Sequence, residues 1–331
     1  MKRLVAVTGA TGFMGKRLVQ VLLDRGCEVR VFVRDRTRAV EAFGEKCEIV
    51  TGDTTDPDSL KGAFDGVDTV YHLAALMGHD LPGEAAFKKF RAVNVQGTKN
   101  VAAECRKAGV KHFIFISSTA AMGLIEDVAV VNEDTPCKPY TPYQVSKYEC
   151  EQYLLQEFRT DGFPVIIVRP SMVYGPGYKG DFLTMAKLCK KGFFPEIGKG
   201  QNLSPALYIT DEIEGLALLL DKGEPGQIYL LSSEKSYSLH ETGEIIGKAL
   251  GKKIHFVPVS TGFMLFCAGA MEKICGLAGK HSPVTRRNIR SVVTDRVFST
   301  EKIRALGFRQ KVGLEEGLTN AVHYFVEQHY L

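Results

Sequence analysis

No run of 18 or more apolar residues occurs in the sequence, so no segment is expected to span a membrane. The eight cysteines (Cys27, Cys47, Cys105, Cys137, Cys150, Cys189, Cys267 and Cys275) form no C-x-x-C pair, and no Cys/His group has zinc spacing. They read as reduced thiols of a reducing, cytoplasmic compartment, and no metal site is expected. A long basic arm and an acidic tail are both missing. The net charge of +4 over 331 residues is too small to imply nucleic acid. The N-terminal MKRLVAVTGATGFMG is not read as a signal peptide, because its apolar run is short and ends in a glycine loop without a small-residue cleavage site. Internal repeats and low-complexity tracts are absent too.

What is present is an ordinary globular composition, 45% apolar and 24% charged. Short apolar, β-branched runs (RLVAVTGA, EVRVFVR, CEIVTGD, VDTVYHLAA, KHFIFISS) alternate with helical patterns (GKRLVQVLLDRG, DPDSLKGAF, NVQGTKNVAAECRKAG). Strands as continuously apolar as FIFIS suit a sheet covered on both faces. The alternation predicts an α/β fold with a doubly wound parallel (Rossmann) sheet. FPVIIVRPSMVYGPG is a further buried strand entering a Gly/Pro loop. Beyond about Tyr174 the loops lengthen. The expected division is therefore a dinucleotide-binding domain over 1–174 that carries the catalytic residues, and a smaller substrate-binding region over 175–331. Some segments of the second region are expected to return to the sheet.

The loop VAVTGATGFMG puts Gly9, Gly12 and Gly15 between a strand and a helix. A helix N-terminus offers free N–H groups and the positive end of its dipole to a pyrophosphate. Gly9 permits the tight turn, Gly12 lets the backbone approach phosphates, and Gly15 lets helix and strand pack closely. At the end of the second strand, an acidic residue would grip the ribose 2′-hydroxyl of NAD. That position is Val33, followed by Arg34, with Arg38 nearby, so cations for a 2′-phosphate favour NADP(H) over NAD(H). Asp53 is suited either to the adenine amino group or to capping the next helix.

TPYQVSK places Tyr143 and Lys147 four residues apart, as neighbours on one helix face, with Thr141 as N-cap and Pro142 at the first helical position. A nearby ammonium favours a phenolate, which can exchange a proton with a substrate oxygen. Ser118, in FISSTAAMG at a strand end, is the candidate to polarise that oxygen, with Ser117 and Thr119 as substitutes. A bare Tyr-x-x-x-Lys is often a surface helix pair. Here it follows a glycine loop and a serine-rich strand end in a fixed order.

Taken together, TGATGFMG, GDTTD, YHLAA, NVQGT, SSTAAMG, YQVSK and RPSMVYGPG resemble the extended short-chain dehydrogenase/reductase superfamily, the NAD-dependent epimerase/dehydratase group. The resemblance implies a catalytic set of Ser118, Tyr143 and Lys147, with Lys147 also holding the nicotinamide ribose. It implies cofactor contacts from Thr11, Phe13 and Met14 in the glycine loop, Thr54 after the third strand, and Leu73, Ala74 and Ala75 beside the cofactor. Pro170 and Val173 would lie near the nicotinamide, and Asn94 would be the structural asparagine. A homodimer pairing through helices around 95–108 and 143–160 is also implied.

The expected reaction is hydride transfer between NADP(H) and a small-molecule secondary alcohol or ketone, as in the dihydroflavonol-reductase-like and hydroxysteroid-dehydrogenase-like branches. The alternative is a nucleotide-sugar (UDP-sugar) 4-epimerase or 4-keto-reductase. SSTAAMG has no acidic residue, which disfavours a dehydratase. Ser204 stands where nucleotide-sugar enzymes of this type carry an arginine, leaving Arg290 as a substitute anchor. A non-enzymatic dinucleotide sensor would have no use for the Ser–Tyr–Lys set. TGFMLFCAGAMEKICGLAGKH, followed by Arg286, Arg287 and Arg290, reads as a packed helix with a solvated basic edge. The competing reading is a greasy substrate mouth or membrane-surface helix. His72 is expected in the core or beside the cofactor, and neither His79 nor the other histidines have ligand spacing.

Overall fold

The structure, a computed structural model, describes residues 2–77, 83–126, 128–198, 200–278, 282 and 284–331. His79 lies outside the described residues. In chain order the first region contains β1 (Leu4–Thr8), α1 (Phe13–Asp24), β2 (Glu28–Val33), α2 (Arg36–Phe43), β3 (Glu48–Thr51), β4 (Thr69–His72), α3 (Gly83–Phe90), α4 (Gly97–Lys107), β5 (His112–Ile116), α5 (Pro142–Asp161) and β6 (Val165–Pro170). There follow β7 (Met172–Tyr174), α6 (Asp181–Lys190), β8 (Phe193–Ile197), β9 (Leu203–Tyr208), α7 (Ile209–Lys222), β10 (Ile228–Leu231), β11 (Ser236–Ser238) and α8 (Leu239–Ala249). The chain ends with β12 (His255–Val259), α9 (Thr261–Leu277), α10 (Arg286–Val293), α11 (Glu301–Ala305) and α12 (Leu314–Glu327).

Seven strands form a parallel sheet in the order β10-β6-β5-β4-β1-β2-β3. This is the doubly wound Rossmann arrangement the alternating strands and helices predict. Alternate residues of each strand enter opposite layers. Val5, Val7, Ile114, Ile116, Ile166 and Val168 join one buried cluster, while Ala6, Phe113, Phe115, Val165 and Ile167 join the other. Burial on both faces explains why these strands carry no polar alternation. β10, from the second half of the chain, pairs with β6 and closes one edge of the sheet. A three-stranded sheet (β11-β9-β7) and the pair β12-β8 stand apart from it.

Local chemistry redraws three sequence expectations. DPDSLKGAF forms only a 3₁₀ turn at Asp58–Leu60, because Pro57 and the left-handed Gly62 (φ +71°) frame too short a segment. NVQGTKNVAAECRKAG is not one uniform helix: a π-turn over Arg91–Gln96 precedes α4. The apolar segment expected to be a packed helix forms α9, but only Ala268 and Gly269 of it are buried.

α5 crosses behind the ends of β5 and β6. Its start is fixed by a reciprocal cap, in which Gln144 N donates to Thr141 Oγ1 and Thr141 N donates to Gln144 Oε1, both 3.3 Å. Gly162, at φ 68°, ends it in the left-handed conformation. The buried stripe of α5 runs Ser146, Lys147, Cys150, Glu151, Leu154, Leu155, so its polar members come first and its apolar members last. Glu151 is fully buried and faces Arg169 on β6. Arg169 Nη2 donates to Glu151 Oε2 at 2.8 Å and Nε to Oε1 at 3.1 Å. Ser117 Oγ, at the end of β5, donates to Glu151 Oε1 at 2.5 Å. One carboxylate thus ties a helix to two strand ends. Arg169→Ala leaves that charge buried without its partner and should lower the unfolding free energy by about 3–5 kcal/mol, whereas Arg169→Met combined with Glu151→Leu recovers most of the loss. Urea unfolding of the wild type, both single variants and the double variant measures this, and strictly additive losses would contradict the pairing.

Candidate active site

The glycine loop folds as its spacing requires. Gly9 has φ +69°, and a Cβ there would lie 2.8 Å from Ala74 N. A Cβ on Gly15 would lie 2.3 Å from Gly9 O, so helix and strand approach as closely as backbone allows. Gly12 N donates to Gly9 O at 3.0 Å, and Gly12 begins α1 without a capping side chain or an acidic residue in the first turn. The first N–H groups of α1, around Phe13 and Met14, therefore remain for a ligand anion. Above them, Arg17 bridges Phe13 O (3.0 Å) and Pro176 O, and the Phe13 and Tyr178 rings meet at 5.3 Å. The Gly/Pro loop after β7 is thereby held over the start of α1. Thr11 lies in the same turn, between Gly9 and Gly12.

Leu73, Ala74 and Ala75 leave the end of β4, and Ala74 N donates to Thr8 Oγ1 at 3.2 Å. Asn94 clamps the continuation of this segment: Oδ1 accepts from Leu76 N (2.6 Å), while Nδ2 donates to Leu76 O (3.1 Å) and to Ser146 Oγ on α5 (2.9 Å). His72 is enclosed between Thr8 and Thr98 hydroxyls at 2.7 and 3.1 Å, and burial pushes its pKa down to about 3. It is a neutral core residue. Arg34 is exposed directly after β2 and makes no ion pair among the described residues. Arg38, in contrast, pairs with Asp35 at 3.4 Å, and Asp35 itself caps α2. Asp53 Oδ1 accepts from Thr55 N and Thr55 Oγ1, both 2.8 Å, closing a local turn; it does not cap the next helical turn, Asp58–Leu60, whose N-cap is Pro57. Thr54 packs against Gly97 at the start of α4.

Ser118, Tyr143 and Lys147 gather where β5 and β6 end. Ser117 N donates to Val168 O at 2.7 Å, which sets the neighbouring Ser118 at the carboxyl edge of the sheet beside Pro170. Ser118 starts a 3₁₀ turn, its Oγ accepting from Ala120 N at 3.1 Å. Gly123 (φ +77°) ends that turn, where a Cβ would collide with Lys138 O. Lys147 is 2% exposed; its Nζ donates to Ile116 O at 2.5 Å and lies 4.2 Å from the centre of the Phe115 ring. Burial pushes its pKa down to about 8, opposed by Cys150 and Glu151. Burial likewise pushes the Tyr143 phenol up to about 12, with the Ser118 hydroxyl opposing the rise. The phenol is therefore raised by burial rather than lowered as the Tyr143–Lys147 spacing suggests.

A cavity of about 200 Å³ opens beside Ser118. Met122, Leu124, Ile125, Val131, Met172 and Phe298 make its apolar wall; Gln144, Ser171, Asp295 and Arg296 contribute polar groups. Val173 lies beyond Met172 on β7 and pairs with Leu207 of β9. Sequence reasoning missed two features here. Glu151 and Arg169 had a legible signal, an arginine inside the apolar run VIIVRP and a carboxylate four residues after Lys147. Arg296, which lines the cavity, had none, because it lies far along the chain from Tyr143. Arg290, the suggested substitute anchor, is exposed on α10 and does not line the cavity.

The Lys147 shift has a defined sign. Between the folded value of about 8 and the ordinary 10.5, the unfolded chain binds the extra proton, so stability attributable to Lys147 rises with pH across that window. Unfolding free energies of the ligand-free wild type, compared with Lys147→Met from pH 8 to 10.5, should show the wild type gaining on the variant. A difference that stays flat would contradict the burial of a charged amine.

Residues 5–232 match the NAD dependent epimerase/dehydratase family. A 3 beta-hydroxysteroid dehydrogenase/Delta 5-->4-isomerase of Mycobacterium tuberculosis is 28% identical, over 97% of this chain and 90% of that protein. An N-acetyl-alpha-D-glucosaminyl-diphospho-ditrans,octacis-undecaprenol 4-epimerase of Escherichia coli O157:H7 is 27% identical, over 97% of this chain and 94% of that one. Among solved structures, the dTDP-glucose 4,6-dehydratase DesIV of Streptomyces venezuelae, with NAD bound, is 26% identical with a TM-score of 0.76, covering 98% of each chain. With the parallel sheet, the glycine turn and the Ser–Tyr–Lys cluster already in place, a family match across more than half of the chain leads to one conclusion: this chain belongs to the NAD dependent epimerase/dehydratase family of extended short-chain dehydrogenase/reductase enzymes.

Proposed function

We propose that this chain is an NADP(H)-dependent oxidoreductase that interconverts a secondary alcohol and a ketone. The observation that carries the reading is the meeting of Ser118 and Tyr143 at the sheet edge, with Lys147 one turn further along α5, next to a compact cavity lined by apolar and polar side chains alike. The residues present fit a dinucleotide. The cradle at Gly9 and Gly12 admits no side chain at its tightest point, and the start of α1 offers N–H groups without a capping side chain. Gly9, Thr11, Gly12, Phe13, Met14 and Gly15 would hold its phosphates. Leu73 to Ala75, Thr54 and Asn94 would line its path, and Pro170 and Val173 its nicotinamide end. Arg34, exposed and without an ion-pair partner among the described residues, would meet a 2′-phosphate, assisted by Arg38. Asp53, already engaged with Thr55, would face the adenine only through its second carboxylate oxygen.

When bound, the nicotinamide supplies or accepts the hydride. The chain's own residues manage the proton and the position. Tyr143 exchanges a proton between its phenol oxygen and the substrate oxygen. Ser118 fixes that oxygen by a hydrogen bond, and Lys147 supplies positive charge beside the phenol. Arg296 lines the cavity beside Asp295; its Nη2 already donates to Ser291 O at 2.8 Å, and its remaining N–H groups would suit a substrate with an acceptor group at one end. The same guanidinium favours the second reading, a nucleotide-sugar 4-epimerase or 4-keto-reductase, whose substrate is anionic. Retained NAD, released only on denaturation, would select that reading. A homodimer pairing through α4 and α5, and a domain division near residue 174, belong to the same proposal.

Two variants test it. Tyr143→Phe should reduce turnover of accepted ketones by about 10²–10⁴-fold while leaving NADPH affinity intact. Unchanged turnover would overturn the acid/base role. Arg34→Ala should weaken NADPH binding about 10- to 100-fold and leave NADH binding unaffected. Equal loss for both cofactors, or a wild-type preference for NADH, would overturn the NADP(H) assignment; fluorescence titration reads all four affinities.

A further inference from the structure

α9 is apolar on nearly every side, and such a helix has to be covered on every side. It is not. Phe263, Phe266, Ile274 and Leu277 are 64, 72, 64 and 92% exposed, and only Ala268 and Gly269 are buried. At about 100° per residue these four side chains, with the exposed Cys267, fall within an arc of about 100° and run about 21 Å along the helix. The stripe is flanked by cations on one side. Lys273 borders it, and farther round the helix Arg286 of the neighbouring α10 lies across the buried Gly269 and pairs with Glu272 at 3.9 Å. Arg290 is exposed on α10, while the Arg287 guanidinium lies 3.8 Å from the centre of the Tyr140 ring. The nearest carboxylate, Glu272, falls on the opposite side of α9, where it accepts from Arg286 N at 3.1 Å.

We propose that this face of α9 and α10 docks on an anionic lipid bilayer, with the apolar stripe sunk among acyl chains and the arginines at the headgroups. Charge complementarity selects this occupant: an apolar strip edged by Lys273, with the exposed Arg286 and Arg290 beyond it on α10, matches a negatively charged apolar surface. A second copy of the chain would bring the same cations to the seam of a two-fold interface, where like charges oppose. The helix lies on the surface rather than crossing it, because no helix among the described residues is long and apolar enough to span a membrane.

The position of the face gives it a purpose. α10 ends at Val293, and Thr294, Asp295 and Arg296 directly after it line the cavity beside Ser118. A bilayer bound at α9 would therefore be linked through α10 to one wall of the cavity. On the alcohol/ketone reading, on which only this clause rests, the substrate is a hydrophobic molecule taken from the membrane.

The test is co-sedimentation of the full chain with phosphatidylcholine vesicles, with and without phosphatidylglycerol. Wild type should sediment with the anionic vesicles and remain in solution with the neutral ones. Arg286→Ala with Arg290→Ala should weaken partitioning about 30-fold, and high salt should have a similar effect. Phe266→Asp with Leu277→Asp should abolish it, while NADPH affinity and far-UV circular dichroism stay unchanged. Absence of binding, equal binding to both vesicle types, or a wild-type dimer that the aspartate pair dissociates in light scattering would each overturn the proposal. Sedimentation needs no turnover, so it can fail while hydride transfer is found, or succeed while hydride transfer is not.

Discussion

The site depends on one buried carboxylate. Glu151 accepts from Ser117 on one strand end and from Arg169 on the next, while its own helix carries Tyr143 and Lys147 two turns and one turn earlier. Strand ends in an open sheet are otherwise free to splay, and a 20-residue helix can slide along them. A charged pair removed from water has no second register in which both ends are satisfied, so it fixes α5 against β5 and β6 at one height. That height sets the Lys147 amine on Ile116 O and the phenol opposite Ser118. Asn94 performs the same task on the other side, joining the segment after β4 to Ser146 with three hydrogen bonds.

From this frame the electrostatics follow. The amine and the phenol are both held in their uncharged directions, Lys147 pushed down and Tyr143 pushed up, because burial outweighs what the chain sets against it. Glu151 and Cys150 oppose the Lys147 shift without cancelling it. A positive charge brought beside the phenol would favour its phenolate. An oxidised nicotinamide would carry that charge and would so couple the proton chemistry of Tyr143 to occupancy of the glycine cradle.

Much of this was legible in the sequence. The parallel sheet followed from apolar strands alternating with amphipathic helices, and the glycine turn from three glycines between a strand and a helix. The Tyr143–Lys147 face followed from helical periodicity behind a Thr-Pro cap. What was not legible depends on chain segments meeting in space. Desolvation of the phenol cannot be read from its neighbours in sequence. Arg296 reaches the cavity from the far end of the chain, and Asp53 is claimed by Thr55 two residues away. The apolar 261–277 segment resembled a core helix because composition reports apolarity and not burial, and in the fold most of it faces outward.

A bound oxidised cofactor should lower the Tyr143 phenol from the value that burial imposes. The absorbance of the phenolate, measured as wild type minus Tyr143→Phe across an alkaline titration, isolates this one tyrosine. Without ligand its midpoint should lie near 12. With NADP⁺ saturating, the midpoint should fall toward neutrality. An unchanged midpoint, with NADP⁺ demonstrably bound, would contradict the account.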